Sequence, residues 1–105
     1  MKIFLYDSLS KQKKEFTPID PKKIRIYACG PTVYNYAHIG NARMSVVTDL
    51  LVNILKTKFH KVVFVSNITD VDDKIIEASI REKKPINEIT TKYHKIYNQD
   101  MKMIG

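Results

Sequence analysis

Two β-rich runs separated by a long amphipathic segment constrain the fold of this chain more than any other feature. The run IRIYA at 24–28 is stopped by glycine and proline, and KVVFVSNI at 61–68 has the continuous apolar character of a strand buried on both faces. The segment from Ala42 to about Lys58 carries one apolar stripe at helical spacing, formed by Val47, Leu50, Leu51, Ile54 and Leu55. The pattern predicts a βαβ unit with parallel strands and a right-handed crossover, which places the chain in the α/β class.

The remaining segments predict a hairpin before this unit and two helices after it. IFLY at 3–6 and KEFTPI at 14–19 flank a polar turn, which is typical of a short antiparallel hairpin. The segment 69–83 opens with Thr69 followed three residues later by Asp72, a capping-box pattern, and a last helix is expected over roughly 87–102. Two parallel strands leave both sheet faces and both edges to be covered. We therefore expect residues 1–105 to be the first portion of a single, incomplete domain.

Composition excludes several classes of protein. The 105 residues suffice for one domain at most, and no stretch approaches the roughly 20 apolar residues of a membrane span. The start of the chain has too short an apolar run for a signal peptide, and a single cysteine precludes an internal disulfide and suits a reducing, cytoplasmic setting. The net charge of +7 comes from 15 lysines and only 3 arginines spread along the chain, which is weak evidence for a nucleic-acid surface.

The candidate chemistry lies where the first parallel strand ends and the long helix begins. Ligands of open α/β sheets bind beyond the carboxyl ends of the strands, which is where Cys29–Thr32 stand. A helix N-terminus attracts phosphate, Gly40 permits close approach to the backbone, and His38 adds a donor that can stabilise developing negative charge. These residue types predict a nucleotide site.

Two stretches, CGPTVYNYAHIGNAR at 29–43 and NITDVDDKII at 67–76, resemble the cysteinyl-tRNA synthetase family of class I aminoacyl-tRNA synthetases. The resemblance implies a Rossmann-like fold and ATP-dependent activation of cysteine, with Mg²⁺, followed by transfer to tRNA(Cys). By the same resemblance, His38 and Asn41 are catalytic, and Thr32, His38, Gly40 and Asn41 bind ATP. Gly30 and Thr69 would line the amino-acid pocket.

The resemblance also implies a zinc ion that binds the substrate thiolate, with Cys29 as the first of four protein ligands. A metal–sulfur bond separates cysteine from serine far better than an apolar pocket does. The resemblance implies that the other ligands lie after Gly105, together with a lysine-rich second signature and an anticodon-binding region. Within the chain, no Cys/His pair has metal-ligand spacing. The second histidine of the family signature is Asn41 here, which can donate a hydrogen bond but never carries a positive charge. We expect residues 1–105 alone to be inactive and marginally folded.

Two other functions remain open at this point. One is a relative that uses the same cysteine-activating half-domain to acylate an amino sugar, and the other is a truncated module that binds a nucleotide or a partner without catalysis.

Each candidate residue also has a plainer interpretation. Cys29 could be a small buried hydrophobe, and His38 a polar residue bonded locally at the helix entrance. Tyr34 and Tyr36 could stack on a nucleotide or simply pack. We expect Asp70, Asp72 and Asp73 to serve helix capping rather than Mg²⁺ binding. The remaining polar candidates are expected to face solvent: His60, His94 and the lysines at 11, 13, 14, 22, 23, 83 and 84.

Overall fold

The computed structural model describes residues 1–105 and confirms the α/β class, with a hairpin, a parallel strand pair and three helices. The elements in chain order are β1 (Phe4–Asp7), β2 (Gln12–Glu15), β3 (Ile24–Ala28), α1 (Ile39–Lys58), β4 (Val62–Ser66), α2 (Asp73–Glu82) and α3 (Ile86–Ile104). Strands β3 and β4 are parallel, with Ile24 opposite Val62 and Ala28 opposite Ser66, and α1 connects them. The predicted βαβ unit is therefore present.

The hairpin forms, but its second strand begins earlier than the sequence pattern predicts. The Asp7 carboxylate accepts hydrogen bonds from the Leu9 backbone N–H at 3.1 Å and from the Ser10 hydroxyl at 2.7 Å, so the turn begins at once. Lys11 takes a left-handed conformation with a φ of 54°, which completes the turn and starts β2 at Gln12 rather than at residue 14. The predicted strand over 14–19 is wrong beyond residue 15.

The helix boundaries differ from prediction where side-chain caps set them. Helix α1 starts at Ile39, three residues before the predicted start, because His38 caps it. The expected capping box at Thr69 is wrong: Asp72 is the N-cap of α2, and its Oδ1 accepts from the Ile75 N–H at 2.9 Å. Thr69 cannot serve there because its backbone pairs with the chain at Thr32 instead. Helix α3 follows Pro85 and continues two residues past the predicted end.

The buried side chains form two separate clusters rather than one core. The base cluster, at the start of the parallel strands, consists of Ile3, Ile24 and Leu55. The rim cluster, beyond the strands' carboxyl ends, joins the segment after β3 to α2 and α3 and consists of Val33, Ala78, Ile89 and Tyr93. Only 9 of the 105 residues are buried, so this chain has little apolar interior for its length.

The middle of the parallel sheet lies open, contrary to the predicted burial of 61–68 on both faces. Phe64 is 43% exposed and Val65 53%, and Tyr27 on β3 is 67% exposed. The predicted stripe of α1 is also only partly covered, since Leu55 is buried while Val47 and Leu50 are more than half exposed. The radius of gyration is 17.0 Å, against about 13 Å for a compact domain of this length. None of the three helices has the length and apolar character needed to cross a bilayer.

Candidate functional site

The parallel strands separate just past their carboxyl ends and then pair again. At the gap, the Gly30 backbone N–H donates to the side-chain Oδ1 of Asn67 at 2.7 Å, so a side chain replaces the missing ladder bond. Pairing resumes at Thr32 and Thr69, where the Thr69 N–H donates to the Pro31 carbonyl at 2.9 Å. The regular pairing is therefore interrupted between the Ala28–Ser66 pair and the Thr32–Thr69 pair, and we call this interruption the opening.

Gly30 is required by this opening because the backbone that follows β4 passes directly over it. A Cβ built on Gly30 would lie 1.6 Å from the Asn67 carbonyl oxygen, a backbone atom that cannot move aside alone. The glycine therefore permits a close approach of the two chain segments. This packing reason holds independently of any contact that Gly30 makes with a ligand.

His38, Gly40 and Asn41 form a capping box at the start of α1. The Gly40 N–H donates to Nδ1 of His38 at 3.0 Å, and the His38 N–H donates to Oδ1 of Asn41 at 3.0 Å. Because Nδ1 accepts a hydrogen bond, the neutral imidazole carries its proton on Nε2, which remains available as a donor. The Asn41 amide nitrogen is likewise free to donate. His38 is thus hydrogen-bonded locally, and this arrangement leaves Nε2 of His38 and the Asn41 amide nitrogen as donors.

Gly40 makes room for the folded-back imidazole. A Cβ at this position would lie 2.8 Å from Cε1 and 2.9 Å from Nδ1 of His38. Unlike the contact at Gly30, this one involves only a side chain, which can rotate away. A side chain at residue 40 would therefore release the cap and leave the backbone in place.

A groove of about 690 Å³ runs from the strand ends between α1 and α3. Its lining includes Cys29, Gly30 and Asn41 among the predicted site residues. The Cys29 side chain is exposed and free, so the interpretation of this cysteine as a buried hydrophobe is wrong. Thr32, His38, Gly40 and Thr69 do not line the groove, but the capping box and the strand pairing tie them to residues that do.

The chain by itself does not provide a zinc site. No group of three or more His, Cys, Asp or Glu side chains is arranged to hold a metal ion. Cys29 is a single sulfur donor, whereas structural and catalytic zinc sites use at least three protein ligands. Of the three predicted capping aspartates, Asp72 caps α2 and Asp73 lies in its first turn, whereas the prediction is wrong for Asp70, which precedes the cap and is exposed.

The tyrosines and the scattered cations have the plainer roles. The rings of Tyr36 and Tyr93 meet edge to face with centroids 5.3 Å apart, and Tyr34 packs against the rim cluster. Both tyrosines therefore make packing contacts, and their stacking on a nucleotide stays a prediction. His60, His94 and the lysines at 11, 13, 14, 22, 23, 83 and 84 are all exposed, as expected.

Sequence reasoning missed Asn67 and the wall that α3 contributes to the groove, beside the strand ends and α1. Asn67 directly follows a β-rich run, the position at which α/β sheets place ligand-binding residues, so a signal was present. The wall from α3, which includes Tyr97 and Met101, had no such signal, because nothing local shows which way a C-terminal helix folds back. The Ser45 and Tyr97 hydroxyls lie 3.4 Å apart and link this wall to α1.

The family model described as tRNA synthetases class I (C) catalytic domain matches residues 15–105. Similar curated proteins include the "Cysteine--tRNA ligase" of Maricaulis maris (strain MCS10), 48% identical over 96% of this chain and 22% of that protein. That of Wolbachia pipientis wMel is 51% identical over the same shares, and that of Rhodospirillum centenum is 47% identical over the whole chain and 23% of its own length.

These matches extend over nearly the whole chain, while the chain spans less than a quarter of each relative. Identities of 47–51% over nearly the whole chain are sufficient to assign the family. The chain therefore belongs to the cysteinyl-tRNA synthetase family, as part of its class I catalytic domain.

Proposed function

We propose that residues 1–105 form the N-terminal portion of the catalytic domain of a cysteine–tRNA ligase of the cytoplasm. The observation that carries the proposal is the shared groove: Cys29, Gly30 and the helix-start residue Asn41 line one cavity at the strand ends. An amino acid and a nucleotide must meet in such a place for activation. The relatives named above are all cysteine–tRNA ligases, and none is named for an amino-sugar ligase or a non-catalytic module.

In the proposed reaction, a carboxylate oxygen of cysteine attacks the α-phosphorus of ATP. The P–O bond to the β-phosphate breaks, pyrophosphate leaves and cysteinyl-adenylate remains. A terminal hydroxyl of tRNA(Cys) then attacks the acyl carbon and AMP leaves. Catalysis of this kind rests mainly on positioning and on stabilising negative charge.

The residues of this chain would contribute to the first step at the start of α1. His38 would donate through Nε2, and Asn41 through its amide nitrogen, to oxygens of ATP bound with Mg²⁺. Gly40 keeps the imidazole folded over the first turn, and the α1 N-terminus favours the phosphates. Thr32 would lie beside the nucleotide, and Gly30 and Thr69 beside the amino acid. Cys29 would supply one sulfur ligand to Zn²⁺, with the remaining ligands outside residues 1–105.

Cysteine-dependent pyrophosphate exchange tests the proposal. The complete product of the reading frame that encodes these residues should exchange pyrophosphate into ATP with cysteine, and prefer cysteine over serine by ~10⁴. The isolated 1–105 chain should show no exchange. Exchange that depends on another amino acid, or turnover by the isolated chain, would contradict the assignment. Failure to charge tRNA despite adenylate formation would favour the amino-sugar alternative.

A further inference from the structure

Asn67 lies at the only point where the two parallel strands are joined by a side chain. Its Oδ1 accepts from the Gly30 N–H at 2.7 Å, and its Nδ2 lies 3.3 Å from the Thr69 hydroxyl oxygen. Gly30 and Thr69 are the two residues to which the amino-acid pocket is assigned above. One partly buried amide group therefore contacts both of them, Gly30 through its oxygen and Thr69 through its nitrogen.

The orientation of this amide is determined by its partners. The Gly30 backbone N–H can only donate, so the Asn67 atom that faces it must be the carbonyl oxygen. The amino group then faces Thr69, and an amino group can only donate. The Thr69 hydroxyl must accept from Asn67, so its own proton points elsewhere. That proton has no acceptor within the chain, which leaves it for a bound molecule or for water.

We propose that Asn67 is a positioning residue of the amino-acid pocket, which holds the Gly30 turn in place and fixes the Thr69 hydroxyl with its proton free. This inference rests on the proposed function, because it needs the pocket to take an amino acid. It assigns no contact between Asn67 and the substrate. The role is exerted through Gly30 and Thr69, both of which are bonded to it.

Substitutions at Asn67 separate the two bonds. Asn67→Ala removes both. Asn67→Asp keeps an acceptor for Gly30 but cannot donate to Thr69, so the Thr69 hydroxyl must turn and donate to the carboxylate. Asn87→Ala and Asn87→Asp are matched controls, since Asn87 is exposed at the start of α3 and lies outside the groove lining.

The readout is pyrophosphate exchange by the complete product of the reading frame, with cysteine and ATP varied separately. Asn67→Ala and Asn67→Asp should both raise KM for cysteine about 10- to 100-fold, while KM for ATP changes by less than ~3-fold. The Asn87 variants should match the parent protein. In a Thr69→Val background, Asn67→Asp should add less than ~3-fold, because no hydroxyl remains to be turned.

Amide hydrogen exchange supplies a readout that does not depend on activity. Exchange of the Gly30 N–H should become faster in Asn67→Ala and stay near the parent rate in Asn67→Asp. The proposal is overturned if Asn67→Asp has the same KM for cysteine as the parent protein, or if the KM values for cysteine and ATP rise together. It is also overturned if the effects of Thr69→Val and Asn67→Asp on KM for cysteine multiply in the double variant. An unaltered Gly30 exchange rate in Asn67→Ala would overturn it too. If no amino acid supports pyrophosphate exchange by the parent protein, the proposed function fails. The hydrogen exchange of the Gly30 amide still decides whether Asn67 holds the turn.

Discussion

The base cluster and the rim cluster hold the two ends of the parallel strands in different ways. The base cluster joins residues far apart in sequence, Ile3, Ile24 and Leu55, from the hairpin side of the molecule. The rim cluster draws mostly on α2 and α3. Between them the sheet is open, and the candidate site is joined by hydrogen bonds rather than apolar packing. The two buried clusters and the candidate site are therefore formed by different residues.

Truncating one side chain in each cluster tests whether the base cluster and the rim cluster are independent. Leu55→Ala and Ile89→Ala, each at a residue 1% exposed, should each cost about 2–5 kcal/mol in the free energy of unfolding. Leu55→Ala should speed amide exchange in β1 to β4 and spare α2 and α3, and Ile89→Ala should do the reverse. Uniform loss of protection in both variants would mean that the clusters act as one core. Independent clusters also imply a broad thermal transition for the isolated chain, and a sharp cooperative one would count against them.

The second prediction concerns the junction between the clusters. Gly30→Ala forces the strands apart, because its Cβ would lie 1.6 Å from the Asn67 carbonyl oxygen, and we expect a loss of roughly 3 kcal/mol. Chemical denaturation monitored by circular dichroism measures it. A variant as stable as the parent would show that the two segments do not cross this closely.

A smaller effect is expected at the cap of α2. Asp72→Ala removes the acceptor for the Ile75 N–H and should cost about 1 kcal/mol. Asp70→Ala is the matched control, because Asp70 is exposed and makes no side-chain hydrogen bond. Equal stability of the two variants would contradict the assignment of Asp72 as the cap.

Gly40→Ala should separate stability from binding. Alanine favours a helix by about 1 kcal/mol over glycine, which offsets a lost cap of similar size. The free energy of unfolding should stay nearly constant, while displacement of the His38 ring should lower pyrophosphate exchange by the complete protein. Retained exchange with unchanged ATP dependence would argue against a role for the capping box in nucleotide binding.

The smallest effect is expected from the pH dependence of the hairpin. The Ser10 hydroxyl, then the Leu9 N–H, and finally Lys14 hold the pKa of the exposed Asp7 carboxyl below its ordinary value of 3.8. A depressed folded pKa means that the contribution is present above 3.8 and is lost as the pH falls through the lower folded value. Asp7→Asn should weaken the pH dependence of hairpin stability in this acidic range. An acid titration monitored by the amide signals of β1 and β2 measures it. An unchanged profile would show that the turn does not stabilise the hairpin.

The sequence predicted the order of elements and failed where structure depends on distant or missing partners. Strand β3 matched its predicted bounds because Gly30 and Pro31 end it locally. The start of α1 was predicted too late because histidine is an uncommon cap, and Thr69 was misjudged because its pairing partner is 37 residues away in sequence. The prediction that β4 is buried on both faces was wrong within residues 1–105. A β-branched run indicates that a strand can be buried, but it does not show which segments cover the strand.

For the candidate site, the sequence suggested which residues to consider but not how they are connected. The placement of Cys29 and Asn41 on one groove followed from a general rule about strand ends. The role of Asn67 depended on the gap between the strands, which no periodicity reveals. The roles of Cys29, Gly30, Thr32, His38, Gly40, Asn41 and Thr69 toward ligands remain predictions.

The renewed pairing of Thr32 with Thr69 also limits how this protein can vary in length. Because pairing occurs both before and after the interruption, adding or deleting one residue in 29–32 or 67–69 would put the Thr32–Thr69 pairing out of register with β3 and β4. The segment at residues 35–37 lies outside this pairing, and its one packing contact is that of Tyr36 with Tyr93. An engineered insertion next to the exposed Asn35 should therefore be tolerated better than one in 29–32 or 67–69.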